Sequence, residues 1–328
     1  MSRRLTVEEK LAAVSALERE PDSAENMTAL CGWLADPQNV VIARAAEVLG
    51  KRGQAVPIPA LLATFARLIE APQPAAADKT CRAKEAIATA LDTLGNADAT
   101  PYLRGLRHVQ MEPVYGGRVD AAAGLRGVCA VALARLRHED AHCALAPLLF
   151  DAEAPVRVTA IRALTFLGGQ ASEAMLRMLA LAGEEHPGVI GDCFAALLLL
   201  EPERSLPFVG GFLHDARHTF VEQAALALGQ SHLEDAYPLL RACWEANTDF
   251  TLRKPLLLAL ALTRQEAAFT YLLDVMREAD ITTAILACDA LALFGVDRRY
   301  RDRIASVVAA CHQPRLADTF TTHFPPEP

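Results

Sequence analysis

Residues 151–168 set the frame for the whole chain. Their apolar positions Val156, Ala160, Ala163, Leu164 and Leu167 recur every three or four residues, which puts them on one face of a helix. Asp151 and Pro155 mark a turn ahead of that helix, and Gly168 stands where helices commonly end in the left-handed conformation. The frame repeats. Aligned on Ala163–Leu164 are Val48–Leu49, Ala90–Leu91, Ala132–Leu133, Ala196–Leu197, Ala224–Ala225, Ala259–Leu260 and Ala290–Leu291. The Gly168 column reads Gly53, Gly95, Arg137, Gly168, Glu201, Gly229, Arg264 and Gly295. The Asp151 column reads Asp36, Asp78, Asp120, Asp151, Glu184, Phe212, Asn247 and Glu278, and in the sixth unit Asp215 is displaced toward the helix. Between these segments lie further amphipathic stretches, such as 171–181, 233–244 and 266–277, so each period predicts two antiparallel helices joined by short turns.

The columns have physical causes. A small residue at the Ala163 position lets neighbouring helices approach, and a larger one there should overpack at ~1–3 kcal/mol. The leucine beside it fills the gap between layers, and truncation to alanine should cost ~2–5 kcal/mol. No single pair buries its own apolar face, so stability comes from stacking on neighbours. Trp33 and Trp244 each stand three residues before their Asp-column position, in an apolar column with Leu148, Leu181, Val209 and Val275, and both are predicted to be core.

The pattern Asp-x4-Val-Arg-x2-Ala-x2-Ala-Leu-x2-Leu-Gly resembles the HEAT repeat, in the short variant named for the phycobilisome lyases. The resemblance covers roughly residues 22–296, with its best copy at 151–168 and its weakest copies sixth and seventh. The fold class expected is all-α, a right-handed α-solenoid of about eight HEAT-like helix pairs. Residues 1–21 form an N-terminal capping helix in this scheme, and 297–328 a C-terminal capping helix and tail. That tail, after Pro314, is expected to be loose or to act as a latch. Such a fold hosts many unrelated functions, so function has to be argued from particular residues.

Composition agrees with the repeat. Of 328 residues, 52% are hydrophobic and only 6% aromatic, as a thin two-layer stack of alanine and leucine columns requires. The net charge of −8 argues against a polynucleotide or anionic-membrane partner. The longest uncharged stretch, residues 53–66, holds two prolines and falls short of a membrane span. The first ten residues carry two acids and no apolar run, so no signal peptide is expected. Eight cysteines without a CxxC read as buried or incidental thiols of a cytoplasmic protein.

Candidate chemistry is sparse. His138-Glu139-Asp140-Ala141-His142 matches HExxH, a zinc motif only when it lies on a helix. The repeat frame ends the preceding helix at Arg137, so the match falls on an inter-helix turn and is read as coincidental. The HEAT-repeat deoxyhypusine hydroxylases need several His-Glu pairs for their di-iron site, and this chain has one, at 138–139. His214 and His218 lie one turn apart with nothing nearby to complete a ligand set. No Walker A, GxGxxG, nucleophile-elbow or kinase signature occurs, and Gly116-Gly117 and Gly168-Gly169 read as turn punctuation. Catalytic, cofactor-binding and metal-binding residues are therefore expected to be none.

Two features point to a partner instead. The column after Val156 reads Ile42, Lys84, Arg126, Arg157, Ile190, His218, Arg253 and Ala284. Lys84, Arg126 and Arg157 each follow an aspartate by six residues, which in HEAT proteins commonly makes an Asp/Arg ladder between repeats. The functional alternative is a cationic stripe on the concave face, extended by Arg162, that receives an acidic protein segment or phosphates. HEAT-like alkylpurine DNA glycosylases use such a concavity. Here Glu47, Glu85, Asp192, Glu222 and Asp289 are mixed with the basic residues, which ranks DNA below protein. The second feature is length. The first two glycine-column spacings are 42 residues, against 28–35 later, and the excess lies at 71–77 and 109–118. Both insertions fall between the helices of a pair and should emerge on the same edge, where Met111, Tyr115 and Arg118 would anchor an interface. A floppy spacer is the alternative. The reading is a non-enzymatic scaffold for a protein partner. Its alternatives are a nucleic-acid-binding or DNA-repair protein of HEAT-like fold and a bilin lyase-like enzyme.

Overall fold

The computed structural model describes residues 5–295 and 297–325. Residue 296, the end of the sequence-defined repeat region, and the extreme segments 1–4 and 326–328 lie outside the described residues. The fold is an all-α solenoid, and its chain divides into two compact units, Met1–Leu167 and Gly168–Pro328. Each is described by itself.

The first unit opens with α1 (Val7–Leu17), whose Thr6 and Glu9 form a reciprocal capping box. Four helix pairs follow. They are α2 (Ala24–Trp33) with α3 (Asn39–Arg52), and α4 (Ile58–Ile69) with α6 (Arg82–Thr93), separated by the single turn α5 (Pro74–Ala77). Next come α7 (Thr100–Gly105) with α8 (Ala123–Arg135), then α9 (Ala141–Leu145) with α10 (Ala154–Leu167). The second helices α3, α6, α8 and α10 pack side by side in that order. The departure from the all-helical expectation sits between α7 and α8. There β1 (Met111–Val114) and β2 (Gly117–Asp120) form an antiparallel hairpin.

The second unit holds α11 (Gly169–Leu181) with α12 (Pro187–Leu200), α13 (Pro202–Gly211) with α14 (His218–Gln230), α15 (Ala236–Ala246) with α16 (Phe250–Leu262), and α17 (Glu266–Glu278) with α18 (Ile281–Leu291). Helices α12, α14, α16 and α18 again pack in series. The chain ends in α19 (Arg298–Cys311), capped by Asp297, and α20 (Pro314–His323), which packs on α18. The segment after Pro314 is thus held rather than loose. Leu316 and Phe324 are buried, and Arg301 donates to the Phe324 carbonyl at 3.2 Å.

The alanine and leucine columns are the core. All sixteen side chains from Val48–Leu49 through Ala290–Leu291 are buried, none more than 6% exposed. The aspartate column closes turns. Asp36, Asp120, Asp151, Glu184 and Asn247 each accept the backbone N–H two residues on, and Asp215 does the same for Arg217 in place of Phe212. The glycine column has two separate causes. Gly53, Gly95, Gly168, Arg137 and Arg264 take positive φ, between 50° and 71°. Gly229 instead lies within α14, where α16 comes so close that a Cβ would stand 2.3 Å from the Ala259 carbonyl oxygen.

One core expectation needs correction. Trp33 and Trp244 are only half-buried, because the inward positions at those turns are taken by Leu34 and Cys243. Each indole keeps part of its surface in solvent.

Candidate partner-docking site

The site begins with a buried polar network running through the first unit. Asp78, fully buried, accepts N–H bonds from Ala83 and Lys84 at 2.9 Å and from the Asn39 amide at 2.9 Å. Lys84 Nζ lies 3.2 Å from Asp78 and 2.9 Å from Gln110 Oε1. The Gln110 amide donates in turn to the Asp78 carbonyl at 2.8 Å and to Glu112 at 2.7 Å, and Glu112 also accepts the Thr80 N–H. Arg126 closes the next step. Its guanidinium makes a forked contact with Asp151 at 2.8 Å and reaches Asp120 at 2.5 Å and the His108 carbonyl at 3.0 Å. Arg157 continues the run by donating to the carbonyls of Asp151 and Ala152.

These distances correct the surface reading of the basic column. Lys84 is 0% and Arg126 3% exposed, so neither offers a charge to a partner. The cause is the six-residue offset, which brings each cation back over the aspartate in the turn just ahead of its own helix. They form the inter-repeat ladder. Arg157 is partly buried, and Arg162 alone of the four is exposed, on α10. In the second unit the ladder shifts outward, with Arg253 to Asp280 at 3.0 Å and His218 to Asp249 at 2.9 Å.

The network shifts several titrations. Burial pushes the Asp120 carboxyl upward, but the N–H groups of Gln110 and Ala122 and the Arg126 guanidinium outweigh it and hold the carboxyl below its ordinary value. Burial depresses His108, against a hydrogen bond with Gln110 that favours the cation, and the neighbouring Lys84 charge lowers it further. The sign for His108 follows directly. A depressed folded value stabilises the fold above the ordinary pKa of 6.5, and that contribution is lost as pH falls. The thermal midpoint is therefore expected to drop between pH 7 and pH 5.5, and His108→Gln should flatten that part of the profile.

What the network carries is the hairpin. A two-stranded hairpin alone is marginal in water. Here Glu112 anchors one of its faces to Thr80, while Asp120 on the other face bonds the Gln110 N–H and Arg126. The Thr80 contact also links the second insertion to the stretch just after the first, since Thr80 lies three residues beyond the 71–77 excess. Beyond this base the hairpin is exposed. Val109 is 62% exposed, Met111 42%, Val114 47% and Val119 47%, while Tyr115 at the tip is wholly solvent-exposed. Gly116, at φ 87°, completes the Tyr115-Gly116 turn in a conformation open to glycine. Arg118 lies across β1 and donates to the Met111 carbonyl at 2.9 Å.

The structure thus brings Met111, Tyr115 and Arg118 together on one anchored element. Arg162 lies apart from them on α10. Sequence reasoning missed Gln110 and Glu112, which hold the hairpin, Asn39 and His108, which bond into the network beneath it, and Val109, Val114 and Val119, which share its surface. The signal was present in Val114-Tyr-Gly-Gly-Arg-Val119, a glycine pair between β-branched residues.

Elsewhere, a groove of about 570 Å³ between α3 and α6 is lined by Glu47, Lys51, Thr80, Arg82 and Glu85. Its charge is mixed. Burial, aided by Asp78, raises the Glu85 carboxyl above its ordinary value. The HExxH match straddles the turn before α9 and that helix's first residues, and His138 Nδ1 accepts the Asp140 N–H at 3.1 Å. Among the described residues no group of three or more His, Cys, Asp or Glu is placed to hold a metal ion. No helix among them is long and apolar enough to cross a membrane. The eight cysteines are free thiols, five of them buried and Cys143 exposed.

No protein-family model and no curated protein matches the chain. Among solved structures, human deoxyhypusine hydroxylase in complex with glycerol is 16% identical, covering 80% of this chain and 92% of its own, with a TM-score of 0.32. The complex of CpcE and CpcF of phycocyanin lyase from a Nostoc species is 17% identical, covering 89% and 96%, with a TM-score of 0.33. An engineered protein is 15% identical, covering 98% and 95%, with a TM-score of 0.37. These likenesses are distant, and the fold assignment rests on the chain's own columns and helices.

Proposed function

We propose that this chain is a non-enzymatic helical-repeat scaffold that binds another protein through the hairpin between α7 and α8. One observation carries the reading. An exposed apolar and aromatic tip, with an arginine beside it, stands on a base that is fixed by buried hydrogen bonds and ion pairs. Pre-fixing a binding element lowers the ordering cost of association, and tyrosine and arginine are the residues that most often carry binding energy. A floppy spacer would gain nothing from burying Glu112, Gln110 and Asp120 beneath it. The mixed charge of the α3–α6 groove favours a protein partner over a polynucleotide, whose groove would be more uniformly basic.

The test is affinity capture from the native host with the intact protein and with Tyr115→Ala/Arg118→Ala. Both side chains are exposed, so the variant should fold with an unchanged melting temperature. A partner retained by the intact chain and lost by the variant is the expected outcome. An identical set of captured proteins would remove the hairpin from the binding surface.

A further inference from the structure

The hairpin's two edges differ, and the difference points to how a partner engages it. Cross-strand pairs are Met111 with Asp120, Glu112 with Val119, Pro113 with Arg118 and Val114 with Gly117. Ala121 N–H donates to the Gln110 carbonyl at 2.9 Å, so the backbone groups of 110 and 121 face each other across the ladder, although the Gln110 N–H goes to the Asp120 carboxylate. Antiparallel ladders alternate, which makes 112/119 and 114/117 the bonded pairs and turns the backbone groups of 111, 113, 118 and 120 outward.

On β1 that outward edge is blunted. Pro113 has no N–H, and the Met111 carbonyl is already taken by Arg118. On β2 no backbone bond is made by the outward N–H of Arg118, the outward N–H of Asp120 or the carbonyl of Arg118 among the described residues, while the chain beyond Asp120 turns into α8. One edge is closed and the other is a template.

The side chains around the template select its guest. Met111, Pro113 and Arg118 project on one face, and Val114 and Val119 on the other. The exposed charges of residues 105–120 are Arg107 and Arg118, both cationic, because Glu112 and Asp120 are consumed by the network below. This is a basic and apolar element on a chain of net charge −8.

Resting on the docking role proposed above, we propose that the β2 edge takes an extended acidic and apolar segment of the partner as an added antiparallel strand. The guest's carboxylates lie on the Arg118 face and its aliphatic side chains beside Val119. Residues opposite Arg118 and Asp120 turn their backbone toward the edge, so the acidic residues of the guest supply the main-chain bonds. The carboxylate opposite Arg118 gains its charge, and the Asp120 carboxylate opposite the next is already paired with Arg126 at 2.5 Å.

The probe is the acetylated and amidated peptide Glu-Val-Glu-Val-Glu-Val, titrated into the full chain while backbone amide exchange is followed residue by residue. Two further peptides carry N-methyl groups on all three glutamates or on all three valines. Expected are saturable binding and slowed exchange at the Arg118 and Asp120 amides. The glutamate-methylated peptide should bind at least tenfold more weakly, and the valine-methylated one within about twofold of the parent. Arg118→Glu should weaken the parent peptide at least tenfold. Absence of binding, equal loss in both methylated peptides, or protection confined to other residues would each overturn strand addition. So would protection of the same amides on raising protein concentration alone, since the occupant would then be a second copy. The docking role is judged separately. If Tyr115→Ala/Arg118→Ala still loses its captured partner while the amides stay unprotected, only strand addition fails.

Discussion

Replacing Arg126 with methionine should cost the first unit about 3–5 kcal/mol, the penalty of stranding buried charge. The guanidinium is 3% exposed and lies against two carboxylates, Asp120 at 2.5 Å and Asp151 at 2.8 Å. Methionine fills much of the volume but leaves both acids uncompensated and the His108 carbonyl without its donor. Denaturant titration should show a lower midpoint for the transition that contains this unit. Adding Asp120→Asn and Asp151→Asn to Arg126→Met should recover part of the loss, because neutral amides no longer need the cation. Failure of Arg126→Met to destabilise would mean that the ladder contributes little and that the hairpin is not held through it.

Gly229→Ala should be as severe, for an unrelated reason. The added Cβ would meet the Ala259 carbonyl oxygen at 2.3 Å and its Cα at 3.0 Å, both backbone atoms that no rotamer change can clear. Helices α14 and α16 would have to separate, and overpacking on that scale costs about 3 kcal/mol or more. Gly53→Ala is the instructive contrast. Nothing lies within 4 Å of its Cβ position, but its φ of 67° is strained for alanine, at a cost of about 1 kcal/mol. Two residues of one sequence column should thus differ about threefold in cost when the second unit and the first are followed by denaturation.

That contrast shows what the sequence could and could not convey. The helix-pair frame was readable because packing demands the same residue types at the same interval, and every alanine and leucine column position is buried. The glycine column was readable as a position but not as a cause, since a left-handed turn at Gly53 and a close helix contact at Gly229 use the same letter. For the basic column, spacing gave both a ladder and an exposed stripe, and only the burial of Lys84 and Arg126 separates them. The hairpin was legible only as extra length. Its four-residue strands are too short for a clear alternation, and the residues that fix it, Gln110 and Glu112, bond to the loop around Asp78 and Thr80 some thirty positions away. Trp33 and Trp244 misled because their column also holds both buried Val209 and exposed Leu181.

The anchored hairpin is the surface proposed to carry the partner. The most direct test is the dissociation constant of the captured partner for the intact chain and for Tyr115→Ala/Arg118→Ala, measured on proteins of equal melting temperature. A weakening of about 30-fold or more is expected, equivalent to about 2 kcal/mol from residues at the centre of the contact. An unchanged dissociation constant would contradict the account.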